Sequence, residues 1–448
     1  MNVSSTNIEP ITLERILRAD NLREAARRVV KNKGGAGVDG MEVGELYDHI
    51  KTHPYEISES VRNGTYRPSP IKRVYIPKSN GEKRPLGIPT VIDRFVQQAV
   101  AQTLSEEFEK VFSDNSFGFR PGRSCHDAIE RALQYVNEGF TWVIDLDLSK
   151  FFDTVNHSKL LQLLSDRIAD GRVISLIHRF LRAPVSEEGK VGKKTTVGTP
   201  QGGPISPILA NILLNELDQL LDTRGIRFVR YADDMVIFCG SKKAAERILK
   251  NVTAYVEKKL FLKVNADKTK IAQAGKDTQF LGFAFTKKVS ERKKRANPGR
   301  EYFAIVHWKK RAALVKDLRK LLSRKAPGGI EKVKNILRWK LRGWYNYFRE
   351  AIPVTWKETV DGWIRRRIRQ LLWKQWKKPG KRFEEMNRRT KGKLRWERFS
   401  FSSNRYWFVS KCDVLHWALN NSTLSEEGWV CLSTFEQQPT IGVTPVLF

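Results

Sequence analysis

The sequence predicts an α+β protein whose last third turns helical and strongly basic. Strand-like and helix-like runs are mixed up to about residue 285, and beyond it the apolar spacing is that of helices alone. Residues 286–400 also hold 37 Lys and Arg against 10 Asp and Glu, so +27 of the formal +32 sits there. Eight of the twelve tryptophans fall in that same stretch.

Along the chain, residues 11–50 read as two short helices around a glycine-rich loop, Lys33 to Gly40. That loop suits either close approach to a sugar-phosphate chain or an ordinary turn between helices. Arg73 to Lys78 and Lys83 to Pro89 flank the turn Ser79-Asn80-Gly81 and predict a hairpin carrying Lys78, Lys83 and Arg84. Val91, Phe95, Ala99, Leu104 and Phe108 have helical spacing. Residues 141–147, rich in β-branched and aromatic side chains, predict a strand whose alternation puts Asp145 and Asp147 on one face. Residues 205–221 predict an amphipathic helix. Residues 226–231 and 235–238 predict two strands with Ala232-Asp233-Asp234 at the tip between them. After a polar connector at 287–300, Leu337, Leu341, Trp344, Tyr345 and Phe348 form one apolar helix stripe, and 355–377 predicts a further basic helix. Beyond Pro379-Gly380 no clear period remains.

Several function classes are excluded. No run approaches the roughly 20 apolar residues of a membrane span, so no membrane partner is expected. The N-terminus lacks the basic start and apolar core of a secretion signal, which predicts a cytoplasmic or nucleoid location. Cys125, Cys239, Cys412 and Cys431 are scattered, without metal-ligand spacing. A charge concentrated in one region and interleaved with aromatics suits a polyanion whose phosphates are neutralised and whose bases are stacked upon. The competing account is a helical bundle with a solvated basic face.

Polymerising nucleotides takes two hard divalent cations about 4 Å apart, held by carboxylates converging from rigid elements. A strand aspartate beside a hairpin-tip pair meets that need. Tyr231-Ala232-Asp233-Asp234 alone is no more than an acidic turn, so its context decides. It is preceded by residues 143–153 (VIDLDLSKFFD) and 197–207 (VGTPQGGPISP), and followed by Asn265 to Thr269 and Phe280 to Phe283.

With those motifs and Ser116 to Pro121, the chain resembles the reverse transcriptases encoded by group II introns over almost its whole length. The resemblance implies a right-hand polymerase fold: an N-terminal extension (1–70), fingers and palm (71–285), a helical thumb called the X domain (286–380) and a small C-terminal maturase-specific, DNA-binding domain (381–448). It implies Asp147, Asp233 and Asp234 as ligands of two Mg²⁺ ions, with Mn²⁺ as a substitute. Asp145, on the same face as Asp147, is the ligand in the alternative register. Phe152 would exclude a ribose 2′ hydroxyl, unless it is a core residue as its neighbour Phe151 is expected to be. Gln201, Gly202 and Gly203 would support the template and nascent pair, or else merely open a helix. Lys78, Lys83 and Arg84 would grip template and triphosphate, and Lys268 would lie near the leaving pyrophosphate. Arg120 and Trp344 are expected at the template and primer.

The implied function is RNA-directed DNA synthesis joined to splicing of the intron RNA. Its partners would be that RNA, an RNA template with a DNA or RNA primer, a DNA target and deoxynucleoside triphosphates. His416 is the sole histidine after His307, which leaves an HNH endonuclease unsupported and suggests an endonuclease-lacking, group IIC-like protein. Two other readings compete. A domesticated reverse transcriptase without an intron would lack intron ends beside its gene. A splicing-only RNA-binding maturase would not need the intact Asp147, Asp233 and Asp234.

Overall fold

The computed structural model describes residues 9–77, 83–200, 202–323, 328–392, 397–402 and 405–436. Lys78 and Gln201 lie outside the described residues. The chain divides into two units, one running to Ala274 and the other from Gly275.

The first unit contains β1 (Ile71–Pro77), β2 (Lys83–Ile88), β3 (Trp142–Leu146), β4 (Val185–Glu187), β5 (Lys190–Val191), β6 (Arg227–Tyr231), β7 (Asp234–Cys239) and β8 (Lys270–Gln273). One sheet has the order β2-β1-β4-β5, with β1 antiparallel to β2 and parallel to β4. The other has the order β6-β7-β3-β8 and is antiparallel throughout. Being paired on both edges, β3 carries apolar side chains to both faces, and Val143, Ile144 and Leu146 are all buried. The helix Lys242–Lys259 packs on β3, β7 and β8, and the helix Ser206–Thr223 on β6.

The helix Val91–Phe108 runs through the core and buries polar groups along with its apolar ones, so each must find a partner. Asp93 accepts hydrogen bonds from the Tyr66 hydroxyl (2.6 Å), the Thr90 hydroxyl (2.7 Å) and the Ser69 amide (3.1 Å), while burial raises its carboxyl above the usual carboxylate range. Arg94 donates to the Gly35 carbonyl (2.8 Å), and a Cβ on Gly37 would lie 2.7 Å from the Thr90 backbone. The glycine-rich loop is therefore docked on the start of this helix.

In the second unit, β9 (Phe283–Thr286) and β10 (Phe303–Val306) form an antiparallel pair that flanks the charged connector. Their four-residue runs are too short to stand out from a helical background. The long helices Trp308–Leu321, Gly329–Phe348 and Val354–Gln375 follow, then Pro379–Thr390 and several short turns of helix. Among the described residues, those from 381 on share their core with the helices before them. One apolar cluster runs from Leu314 through Leu341, Ile364 and Trp373 to Leu415, Trp429 and Phe435. Asp361 ties the ends together by accepting from the amides of Leu432 (2.7 Å) and Ser433 (2.9 Å).

A chain stopped after Arg382 should therefore lose its thumb-like helices as well. It removes Met386, Val409, Leu415, Leu419, Leu424, Trp429, Leu432 and Phe435 from that cluster. At about 1.5–3 kcal/mol per large buried side chain, the loss of eight is comparable to or greater than the usual 5–15 kcal/mol of a whole domain. The expected result is aggregation in size-exclusion chromatography and lost helical signal; a monodisperse, folded product would contradict the shared core.

Candidate active site

Tyr231 and Asp234 pair across the ends of β6 and β7, so the connection is a two-residue turn, Ala232-Asp233. Ala232 has φ of +58°, a conformation that an L-residue with a Cβ adopts only when its surroundings hold it there. The holding group is Arg230. Its guanidinium donates to the Ala232 carbonyl (2.9 Å), to Asn211 Oδ1 (2.9 Å) and through two nitrogens to the Asp218 carboxylate. Arg230 and Asp218 are 1% and 0% exposed, and removing one partner would leave an uncompensated buried charge. Asn211 in turn donates to the Gly118 carbonyl (2.9 Å). Gly118 lies so close under the turn that a Cβ there would be 2.1 Å from the Ala232 nitrogen.

Asp147 follows the end of β3, next to β7, and pairing of Leu146 with Met235 aims β3 at the same end of the sheet as the turn. Its backbone is clamped by the motif at 265–269: Asn265 donates its amide to the Asp147 carbonyl (2.8 Å), and the Asp147 amide donates to the Thr269 hydroxyl (3.2 Å). Lys268 Nζ stands 3.7 Å from Asp147 Oδ2. Burial raises the Asp233 carboxyl, Asp147 nearby adds to this, and Arg84 and Arg230 oppose it. Asp147, Asp233, Arg84 and Lys268 thus share one electrostatic neighbourhood. Asp234, at the start of β7, is exposed. Asp145, paired to Val236 and Lys270, is pushed up to about 6 by burial and by Asp147.

Phe151 is buried, with its ring edge-on to Phe152 at 5.1 Å; Phe152 is only partly buried against the same core. The Phe152 carbonyl accepts from the Thr199 amide (2.7 Å), which fastens the glycine-rich motif beside it. The close approach expected of Gly202 and Gly203 is made to the chain itself. A Cβ on Gly202, at φ +121°, would lie 2.3 Å from the Gly87 carbonyl in β2, and one on Gly203 would lie 2.5 Å from Gln97 Oε1. Lys83 and Arg84 are exposed, Lys83 beside the Tyr75 ring.

Two residues expected at the template and primer make contacts within the chain. Arg120 is buried, with its guanidinium on Glu109 and on the carbonyls of Ser113 and Ser116, so it braces its own loop. Trp344, in the second unit, packs against Phe348 (4.9 Å) and Trp356 (5.6 Å). Sequence reasoning missed Arg230, Asp218, Asn211 and Gly118. The available signal was a charged residue at an inward strand position, Arg230, and an acid among the leucines of the helix 206–223.

The description "Reverse transcriptase (RNA-dependent DNA polymerase)" matches residues 76–285, and "Group II intron, maturase-specific domain" matches residues 311–390. Protein YkfC of Escherichia coli is 36% identical over 324 residues, covering 62% of this chain and 85% of YkfC. The chain belongs to the group II intron type of reverse transcriptase. The group II intron-encoded protein LtrA of Lactococcus lactis is 31% identical over 336 residues, 60% of this chain and 55% of LtrA. A putative COX1/OXI3 intron 2 protein of Saccharomyces cerevisiae is 28% identical over 328 residues, 60% of this chain and 37% of that protein. This reverse transcriptase thus spans about half of LtrA or less than half of the yeast relative. No helix among its described residues is long and apolar enough to cross a membrane.

Gly118→Ala in this reverse transcriptase should push the Ala232-Asp233 turn out of place, lowering primer extension tenfold or more while circular dichroism and RNA affinity stay unchanged. Asp218→Ala, which leaves Arg230 unpaired, should instead cost about 3–5 kcal/mol in denaturant unfolding. Wild-type activity in Gly118→Ala would show that the contact is slack.

Proposed function

We propose that Asp147, Asp233 and Asp234 form the metal centre of an RNA-directed DNA polymerase that copies its intron RNA into DNA at a target site and, by binding that RNA, promotes its splicing. The observation that carries the proposal is the meeting of the end of β3 with the β6–β7 turn, which brings Asp147 beside Asp233. The donors are all carboxylate oxygens, a set that fits Mg²⁺, with Mn²⁺ as a substitute. Two such ions, when bound, would activate the primer 3′ hydroxyl and offset charge on the triphosphate.

The chain's own residues do the rest. Lys268 and Arg84 place positive charge beside the carboxylates, where a deoxynucleoside triphosphate and its leaving pyrophosphate would need it. Phe152 stands half-open over a buried Phe151, which suits a ring that closes off space at the sugar. In this reading β1 and β2 are fingers, the β6-β7-β3-β8 sheet is the palm, and the helices after residue 286 are the thumb. The residues from 381 on carry DNA contacts although they share the thumb's core. The second unit leaves Trp308, Trp339, Phe401, Phe408 and Trp417 exposed among its Lys and Arg, which supports contact with RNA and DNA by phosphate pairing and base stacking.

The test is primer extension on an RNA template with Mg²⁺ and deoxynucleotides. Asp147→Asn and Asp233→Asn should each fall below about a tenth of wild-type kcat, since losing a catalytic metal costs several kcal/mol, with RNA affinity retained. Asp145→Asn should keep its activity. The opposite ranking would make Asp145 the ligand.

A second variant addresses the sugar. Phe152→Ala should raise ribonucleotide incorporation relative to deoxynucleotide, read as the ratio of the two kcat/KM values. An unchanged ratio in a destabilised protein would make Phe152 a core residue.

A further inference from the structure

The segment before β1 lies outside both matched regions and contains a side-chain cluster separate from the carboxylates of the candidate active site. His49 and His53 stand four residues apart, at the end of the helix Leu46–Thr52 and on its C-cap, so both imidazoles project to one side. Their rings stack at 4.9 Å between centroids. Glu56 opens the next helix, Glu56–Arg62. One donor atom from each of the three lies within 4.8 Å of the others.

We propose that His49, His53 and Glu56 form a divalent cation site of the zinc class, clamping these two helices together. Two imidazole nitrogens with one carboxylate favour Zn²⁺, Co²⁺, Ni²⁺ or Cu²⁺ over the oxygen-seeking Mg²⁺ and Ca²⁺. A tetrahedral ion holding each donor at about 2.0–2.2 Å needs them about 3.3 Å apart. Exposed side chains reach that by small torsional changes.

Two further observations point the same way. The Thr52 hydroxyl lies on the helix carbonyls of Asp48 (2.9 Å) and His49 (3.1 Å), which can only accept its proton. His53 Nδ1 lies 2.9 Å from the same hydroxyl, and an imidazole that donates there keeps its Nε2 lone pair for a metal. The second is Tyr55, which connects the helices at φ +68° with its side chain 76% exposed. No burial compensates this left-handed conformation at a bulky residue; what it achieves locally is the start of the next helix, through Glu59 N–H to the Tyr55 carbonyl (2.8 Å), with Glu56 turned back to the histidines.

The experiment uses the full chain without a histidine tag, stripped with chelator and held in excess Mg²⁺ so that the carboxylate centre does not compete. Zn²⁺ is titrated calorimetrically and Co²⁺ by visible absorption. Expected are one equivalent of tightly bound Zn²⁺, a tetrahedral Co²⁺ band, and a Tm raised by about 2–4 °C with Zn²⁺ present. His53→Gln and Glu56→Gln should each weaken binding tenfold or more and abolish the Tm shift, while their metal-free Tm equals that of wild type. Absence of the Co²⁺ band in the wild-type chain would overturn the proposal whatever the variants do, and so would equal Zn²⁺ affinity in a His49→Gln, His53→Gln double variant.

Discussion

The active end of the first unit depends on one buried ion pair, Arg230 with Asp218. An acidic turn of this kind is difficult to build because it presents carboxylates to solvent while its backbone stays fixed. Here the turn begins with an alanine in a left-handed conformation, which its own sequence does not favour. The guanidinium beneath it supplies the missing preference by binding the Ala232 carbonyl, and Asp218 neutralises that guanidinium out of reach of water. Because the pair is dry, its geometry is rigid, and the neighbouring carboxylates inherit the rigidity.

The motif glycines extend the same logic. Gly118 presses against the turn from below, and Gly202 presses against Gly87 of β2, each at a distance that a side chain would forbid. Each glycine joins elements far apart in sequence: Gly118 fixes its own loop against the acidic turn, and Gly202 fixes the loop after β5 against the hairpin β1–β2. Arg120 belongs to this internal bracing, its guanidinium held by Glu109 and by the carbonyls of Ser113 and Ser116.

The second unit solves a different problem. It must concentrate positive charge without repelling itself apart, and it does so by burying one long apolar cluster from Leu314 to Phe435 while most of its cations, Arg369 excepted, stay at least partly exposed. Several of these cations lie over tryptophan faces, Arg366 on Trp407 at 3.4 Å and Arg382 on Trp373 at 4.5 Å, where the ring quadrupole partly offsets their mutual repulsion. Asp361 spends its charge on amides near the end of that cluster, so the last helices are part of the fold that precedes them.

By itself the sequence determined the longer elements and the family. Periodicity located β3 to within a residue at each end, the helices Val91–Phe108 (read as 91–112) and Ser206–Thr223 (read as 205–221), and the hairpin with acids at its tip, because each rests on local alternation or on turn residues. The order of motifs named the family. What only the tertiary structure decided was which polar residues face inward. Arg120 and Arg230 are both arginines near motifs, and nothing local reveals that Glu109 and Asp218 wait for them. The closeness of Gly202 to Gly87, the single core behind Trp373 and Trp429, and the return of Glu56 to His49 and His53 are likewise contacts between separate segments. A linear pattern records which face a residue takes on its own helix or strand; the partner it meets there is fixed only when the elements pack.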